Sequence, residues 1–447
     1  MTPISRYVSA RSLRWIFAAC AITACSNSNS TSVQKSAPDS LITETPTRGF
    51  TTLRERDPLP PLPKAGDKFT DSTFGTTILR LTDGGDGNTE MGVQYSYWPV
   101  FNSNSTRIHV NGKYNGSTRS VFFTFDPATL TVGPPFKLET LPPQGFLLER
   151  SDMIWSGISA DLIYGHNGHV DALVDVPRQL WAYDVALDQY ALIKDFSSVL
   201  LPDGSSLLLP DGNLTQMSKS LDDQVFAFTL TDATGAPAGY FAWHRGRNQI
   251  LVREVVPVLD EVQVDKSGRY LIVVYDGGTD EIFDLAPFPP TLIATLTRAD
   301  GFGFVHRDTG MGTVVTAFLI DALGFRRLET PRDVTSLIPG HWSYRTQQDH
   351  VSMLADNERW VLSSRFSTSG GPVLNPFDNE IVQVATDGSD RVRRIAHHRS
   401  LVGIFEDQPK ASISRDGRYV AFTSNWGVAG GRRDVYIVVN IPPAPTS

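Results

Sequence analysis

From about residue 65 onward, apolar and polar side chains alternate in short runs, and almost no stretch places apolar residues at the spacing of a helix face. One unit recurs: an alternating strand, a polar turn, a β-rich apolar strand, then one or two further strands. The first turn-plus-strand core reads Phe101-Asn102-Ser103-Asn104-Ser105-Thr106-Arg107-Ile108-His109-Val110. Later copies centre on Ser159 to Tyr164, Asp222 to Ala227, Lys266 to Leu271, Thr309 to Val314, Ala355 to Trp360 and Arg415 to Val420. About seven copies at a spacing of roughly 40 to 60 residues match the period of propeller blades. Each turn holds Gly, Asn or Asp, which tolerate positive φ. Each following strand is rich in Val, Ile, Phe and Tyr, as a strand packed between neighbouring blades must be. The pattern therefore predicts an all-β chain: a seven-bladed β-propeller of four-stranded antiparallel blades, preferred over a pair of β-sandwiches. The last blade lacks one outer strand before the chain ends. Thr77 to Thr82, isolated ahead of the first copy, is expected to supply it and close the ring.

The N-terminus reads differently. Arg6, Arg11 and Arg14 precede a short apolar run from Trp15 to Ala21, too short to span a bilayer and right for a secretory signal. Ile22-Thr23-Ala24-Cys25 resembles a bacterial lipobox, so residues 1–24 are expected to be removed and Cys25 to carry a lipid anchor. Ser26 follows it, where inner-membrane retention usually has Asp, and this favours an outer-membrane lipoprotein. Residues 25–64 have no apolar periodicity, opening on Ser26-Asn27-Ser28-Asn29-Ser30 and closing on Pro58-Leu59-Pro60-Pro61-Leu62-Pro63. They read as a flexible tether and a stiff spacer spanning roughly 30 Å, with the propeller over residues 65–443.

Composition narrows the function classes. A formal net charge of -8 argues against nucleic acid, which needs a basic face. Two cysteines exclude a disulfide framework and a thiolate zinc cluster. There is no Gly-x-Ser-x-Gly elbow, no His-Glu-x-x-His and no phosphate-cradling glycine loop.

Asp416-Gly417-Arg418-Tyr419-Val420-Ala421-Phe422-Thr423-Ser424, with Gly427 and Asp434-Val435-Tyr436-Ile437-Val438, looks like a TolB-type blade. Together with Tyr97-Trp98-Pro99-Val100-Phe101-Asn102, it makes residues 75–440 resemble the propeller superfamily that contains TolB and the oligogalacturonate lyases. The lyase side of that resemblance implies polysaccharide β-elimination and a manganese ion held by a Gln and His cluster before the final Asp-Gly turn. The corresponding stretch here is Phe405-Glu406-Asp407-Gln408-Pro409-Lys410-Ala411-Ser412, without histidine, while Gln347-Gln348-Asp349-His350 lies one blade earlier. The TolB side implies a scaffold that binds a peptide or envelope protein.

Inner strands of a propeller begin at one mouth of the central channel, so the residues ahead of each turn should converge there. Those positions hold Tyr97, Arg150 or Asp152, Gln216, Asp260 or Glu261, His306, His350 and Gln408. Elimination beside a uronate needs a cation for the carboxylate, a base for the adjacent proton and an acid for the leaving oxygen. Arg150 or Arg345 suits the first role, His306 or His350 the second and Tyr97 the third, with Gln216, Asp260, Arg345 and Gln408 as further ligand contacts. His306 with Asp308 and His341 or His350 is a candidate set for a divalent metal such as manganese, zinc or calcium. His166 and His169 are expected on a solvated loop, and His397 and His398 on the surface. The expected molecule is a monomer that handles an acidic glycan or an envelope protein.

Overall fold

The structure, a computed structural model, describes residues 49–55, 58–114, 117–137, 153–166, 178–256, 258–300, 306–317, 322–342, 348–367 and 375–440. Cys25, Arg150, Asp152, His169 and Arg345 lie outside them.

Seven antiparallel sheets succeed one another along the chain as the blades of a propeller. Blade three is the regular case, with Leu214–Lys219 innermost, then Val225–Thr231, Pro237–His244 and Gln249–Val255. Its second strand is buried at every position, whereas the outermost strand of blade four, Thr291–Thr297, is mostly exposed. That gradient is what a strand sandwiched between blades and a strand at the rim require. In the seventh blade, Thr77–Arg80 pairs with Asp434–Val439, Ile78 lying opposite Val438. Lys68–Thr70 adds one more strand outside it, an element the sequence pattern did not reveal. The start and end of the head therefore share one sheet, and Arg80 locks it with a buried 2.6 Å ion pair to Asp434.

In four blades the turn after the inner strand uses one device. A polar side chain at the strand end accepts hydrogen bonds from the start of the second strand: Asn102 from Thr106 and Arg107, Ser220 from Val225, Asp265 from Arg269 and Tyr270, Ser414 from Tyr419. Three residues further on, the backbone has positive φ, at Ser105, Asp223, Gly268 and Gly417. At Gly268 (φ 73°) a Cβ would also meet Ser220 Cβ at 3.0 Å and Val225 Cγ2 at 3.1 Å. Gly268→Ala is therefore expected to cost about 1–2 kcal/mol, measurable by denaturant unfolding.

The outermost strand of blade six, Val392–His397, breaks the gradient, since every residue in it is buried. The cause is the segment expected to be a free spacer. Thr51 O accepts from Arg394 Nη1 at 2.6 Å and Leu53 O lies 3.3 Å from His397 Nε2. Glu55 pairs with Arg399 at 2.7 Å, Phe50 stacks on His341, and Pro60 O accepts from Trp426 Nε1 at 3.0 Å. Residues 49–55 and 58–63 thus form a strap across the rim of blades six and seven. His397 and His398 are consequently in the interior, not on the surface; burial lowers them to about 4 and about 3. His166 is also corrected: it is a fully buried residue of the strand Leu162–His166, not part of a loop.

Candidate functional site

The first strands of the blades deliver their side chains to the axis by irregular backbone. In blade three the ladder skips Gln216, which sits at φ 45°, and in blade four it skips Asp260. Lys410, just ahead of Ser412–Ile413 in blade seven, has φ 43°. Left-handed non-glycine residues and bulges also occur in turns and outer strands, and at these three inner-strand positions they change which way a side chain is aimed.

At that mouth His306 and His350 stack, ring centroids 4.2 Å apart and planes 27° from parallel. Tyr95 packs edge-on against both, at 6.2 and 4.8 Å, and lies 4.5 Å from Tyr97 and 6.1 Å from Phe405. The tautomers follow from the partners. His306 Nδ1 faces the Asp349 carbonyl, which only accepts, so its proton is on Nδ1 and Nε2 keeps a lone pair. His350 Nε2 meets Gln408 Oε1 at 2.7 Å, so its proton is on Nε2, and Nδ1 has no hydrogen-bond partner among the described residues. Burial lowers both pKa values, for His306 against the opposing pull of Asp349 and for His350 with the help of the Lys410 cation, so both imidazoles are neutral at pH 7.

Tyr97 Oη donates to Glu261 Oε2 at 2.6 Å, and Gln263 Nε2 donates to Glu261 Oε1 at 3.1 Å. Desolvation pushes Glu261 up to about 7, helped by Asp260 and opposed by Arg307 and by the Tyr97 hydrogen bond. Lys410 is 4% exposed, its ammonium 4.2 Å over the Phe405 ring. Burial lowers it to about 8 against the pull of Glu406 and Asp407. Beyond Tyr97 the axis widens into a cavity of about 760 Å³, including its open end, lined by Trp98, Trp155, Gln263, Lys266 and Arg415. Arg415 Nη1 reaches across from blade seven to the Gly157 carbonyl of blade two at 2.5 Å, and Gln263 Oε1 is a buried acceptor without a partner among the described residues.

The sequence-selected residues separate accordingly. Tyr97, His306, His350 and Gln408 belong to this mouth. Gln216 accepts from Thr229 at 3.3 Å within its own blade. Asp260 lies close enough to act on His306 and Glu261, and it is Glu261 that accepts the Tyr97 hydrogen bond. Asp308 lies along the cavity, its carboxylate accepting from Met353 N at 2.5 Å and Thr309 N at 2.7 Å. Exposed His341 stacks on Phe50 at 4.1 Å. Tyr95, Phe405 and Lys410 were missed. The signal for Lys410 was present in Gln408-Pro409-Lys410, an inner-strand position read only for histidine.

No family model matches this sequence, and no curated protein sequence matches it. Among solved structures, an oligogalacturonate lyase in complex with manganese superimposes with a TM-score of 0.58 at 13% identity, over 85% of this chain and 97% of that one. An oligogalacturonate lyase from Vibrio parahaemolyticus gives 0.51 at 11% identity, over 83% and 96%. At such identity the likeness shows the propeller fold.

The manganese in that neighbour raises the question of a metal here. Among the described residues, His306, Asp308, His341 and His350 do not bring three donor atoms together as a ligand group: the two imidazoles lie face to face, Asp308 serves backbone amides, and His341 stacks on Phe50 of the strap. Glu55, Asp71 and His397 do bring three donor atoms within 4.8 Å of one another. Arg399 pairs with both carboxylates there, at 2.7 and 2.5 Å, supplying the positive charge a cation would bring. Neither group fits a divalent ion.

Proposed function

We propose that this protein is an envelope-anchored lipoprotein whose propeller binds an acidic glycan at the axial mouth and cleaves it by β-elimination. The observation that carries this reading is the stacked pair of neutral imidazoles beside the Tyr97–Glu261 couple. Bases and an acid sit at one opening, with pKa values set apart by burial. The likeness to oligogalacturonate lyases supports the choice of uronate.

His306 is the base, because its ring is the more accessible of the two and its Nδ1–H is held by Asp349. Its Nε2 takes the proton on the carbon next to the uronate carboxylate. The freed electron pair forms the ring double bond, the bond to the glycosidic oxygen breaks, and that oxygen takes a proton from Tyr97. Glu261, protonated below about pH 7, returns a proton to the phenolate along their hydrogen bond. His350 and Tyr95 hold the His306 ring in place.

The acid form of Glu261 prevails below its raised pKa, so turnover should fall as pH rises through about 7. In Glu261→Gln the rate is expected to drop about 100-fold and lose that alkaline limb, which a pH–rate profile reads directly. The overall test incubates the protein with pectic, ulvan-like and glycosaminoglycan substrates, with and without divalent metal, and follows absorbance of the unsaturated product. Absorbance should rise with at least one of them. No signal with any would overturn the reading and favour a binding scaffold.

A further inference from the structure

The cation that elimination demands is accounted for by a residue that neither the repeat pattern nor the resemblance singled out. The Lys410 ammonium makes no hydrogen bond or ion pair among the described residues, and it lies 4.2 Å over the face of Phe405. The buried acid that acts on it, Asp407, is already engaged: Oδ1 pairs with Arg433 at 3.1 Å, and Oδ2 accepts from Gly403 N and Ile404 N at 3.0 and 3.1 Å. Glu406 is exposed. A nearly buried cation with no counter-anion is expensive to maintain, and a left-handed lysine backbone adds to the cost. Lys410 also lies close enough to His350 to depress its basicity. A fixed positive charge therefore sits in the stretch where the resemblance led one to expect metal-binding histidines, and its field repels a dication.

We infer that Lys410 is the carboxylate anchor of the axial site, an ammonium that receives one uronate carboxylate of the glycan. This rests on the acidic-glycan reading above but not on turnover. The ammonium forms a charge-assisted hydrogen bond to the carboxylate, and Phe405, 52% exposed, offers its free area to the sugar ring. When the neighbouring proton leaves, the same contact stabilises the charge that develops on the carboxylate oxygens.

The test is a calorimetric titration of trigalacturonate into chelator-treated protein carrying Cys25→Ser, to avoid lipidation, and His306→Gln, to prevent turnover. Binding is expected without metal, weakened about tenfold or more by Lys410→Gln and largely restored by Lys410→Arg. The methyl-esterified trisaccharide should bind weakly and be indifferent to Lys410→Gln. Melting curves of each variant separate lost binding from lost fold. Binding unchanged by Lys410→Gln, binding that requires added manganese, or no binding with Lys410 present would each overturn the inference. Lys410-dependent binding without any unsaturated product from the parent protein would leave the anchor standing and remove the elimination.

Discussion

His306→Gln is expected to slow formation of the unsaturated product by about 100- to 10,000-fold, with a melting temperature close to that of the parent protein. Glutamine can still donate to the Asp349 carbonyl, and the His306 side chain is only partly buried, so packing loss is small. What disappears is the Nε2 lone pair. His350 offers an instructive contrast. Its ring has no exposure and packs on His306, Tyr95 and Phe366, with centroids 4.2, 4.8 and 5.2 Å away. His350→Ala should therefore cost stability as well as rate, because it opens a cavity under the ring that must stay fixed. Rate and melting temperature measured on both variants separate the proton acceptor from its support.

The largest stability effect is expected at Arg399. Its guanidinium joins Asp71 of the seventh blade at 2.5 Å to Glu55 of the strap at 2.7 Å, and the Arg399 and Asp71 side chains are fully buried. Arg399→Met keeps the stem that packs near Trp426 but strands two carboxylates in the interior. Breaking a buried pair from one side costs about 3–5 kcal/mol, against less than about 1 kcal/mol for an exposed pair. Arg391→Met, which removes the exposed 3.2 Å pair with Asp387, is the matched control. Urea unfolding of the two variants should differ by several-fold in lost stability. Equal losses would mean that the strap is not held by this network.

The propeller was legible because its turns are chemical: a polar acceptor at the strand end and a positive-φ residue three positions later recur from Asn102–Ser105 to Ser414–Gly417. Those features are local, so one sequence displays them. The mouth was partly legible for a related reason, since position ahead of the turn places Tyr97, His306, His350 and Gln408 together. Bulges defeated the finer reading. The one-residue slip at Asp260 gives the Tyr97 contact to Glu261, and alternation alone cannot tell which of two adjacent acids a bulge re-aims. The strap was invisible because its ties reach hundreds of residues along the chain, as from Thr51 to Arg394, and several of them are made by backbone carbonyls that no sequence pattern marks. An arginine-rich outer strand with two histidines reads as surface until something covers it. Lys410 escaped because its importance lies in the lack of a partner, a property only three dimensions reveal.

The central claim is that the axial mouth moves a proton from the carbon beside a uronate carboxylate. Proton magnetic resonance of an oligouronate incubated with the protein in chelating buffer follows that hydrogen directly. Loss of its signal matched by growth of one vinyl proton, absent with His306→Gln, is the expected result. Saturated chain ends, or a spectrum unchanged over many hours, would contradict it.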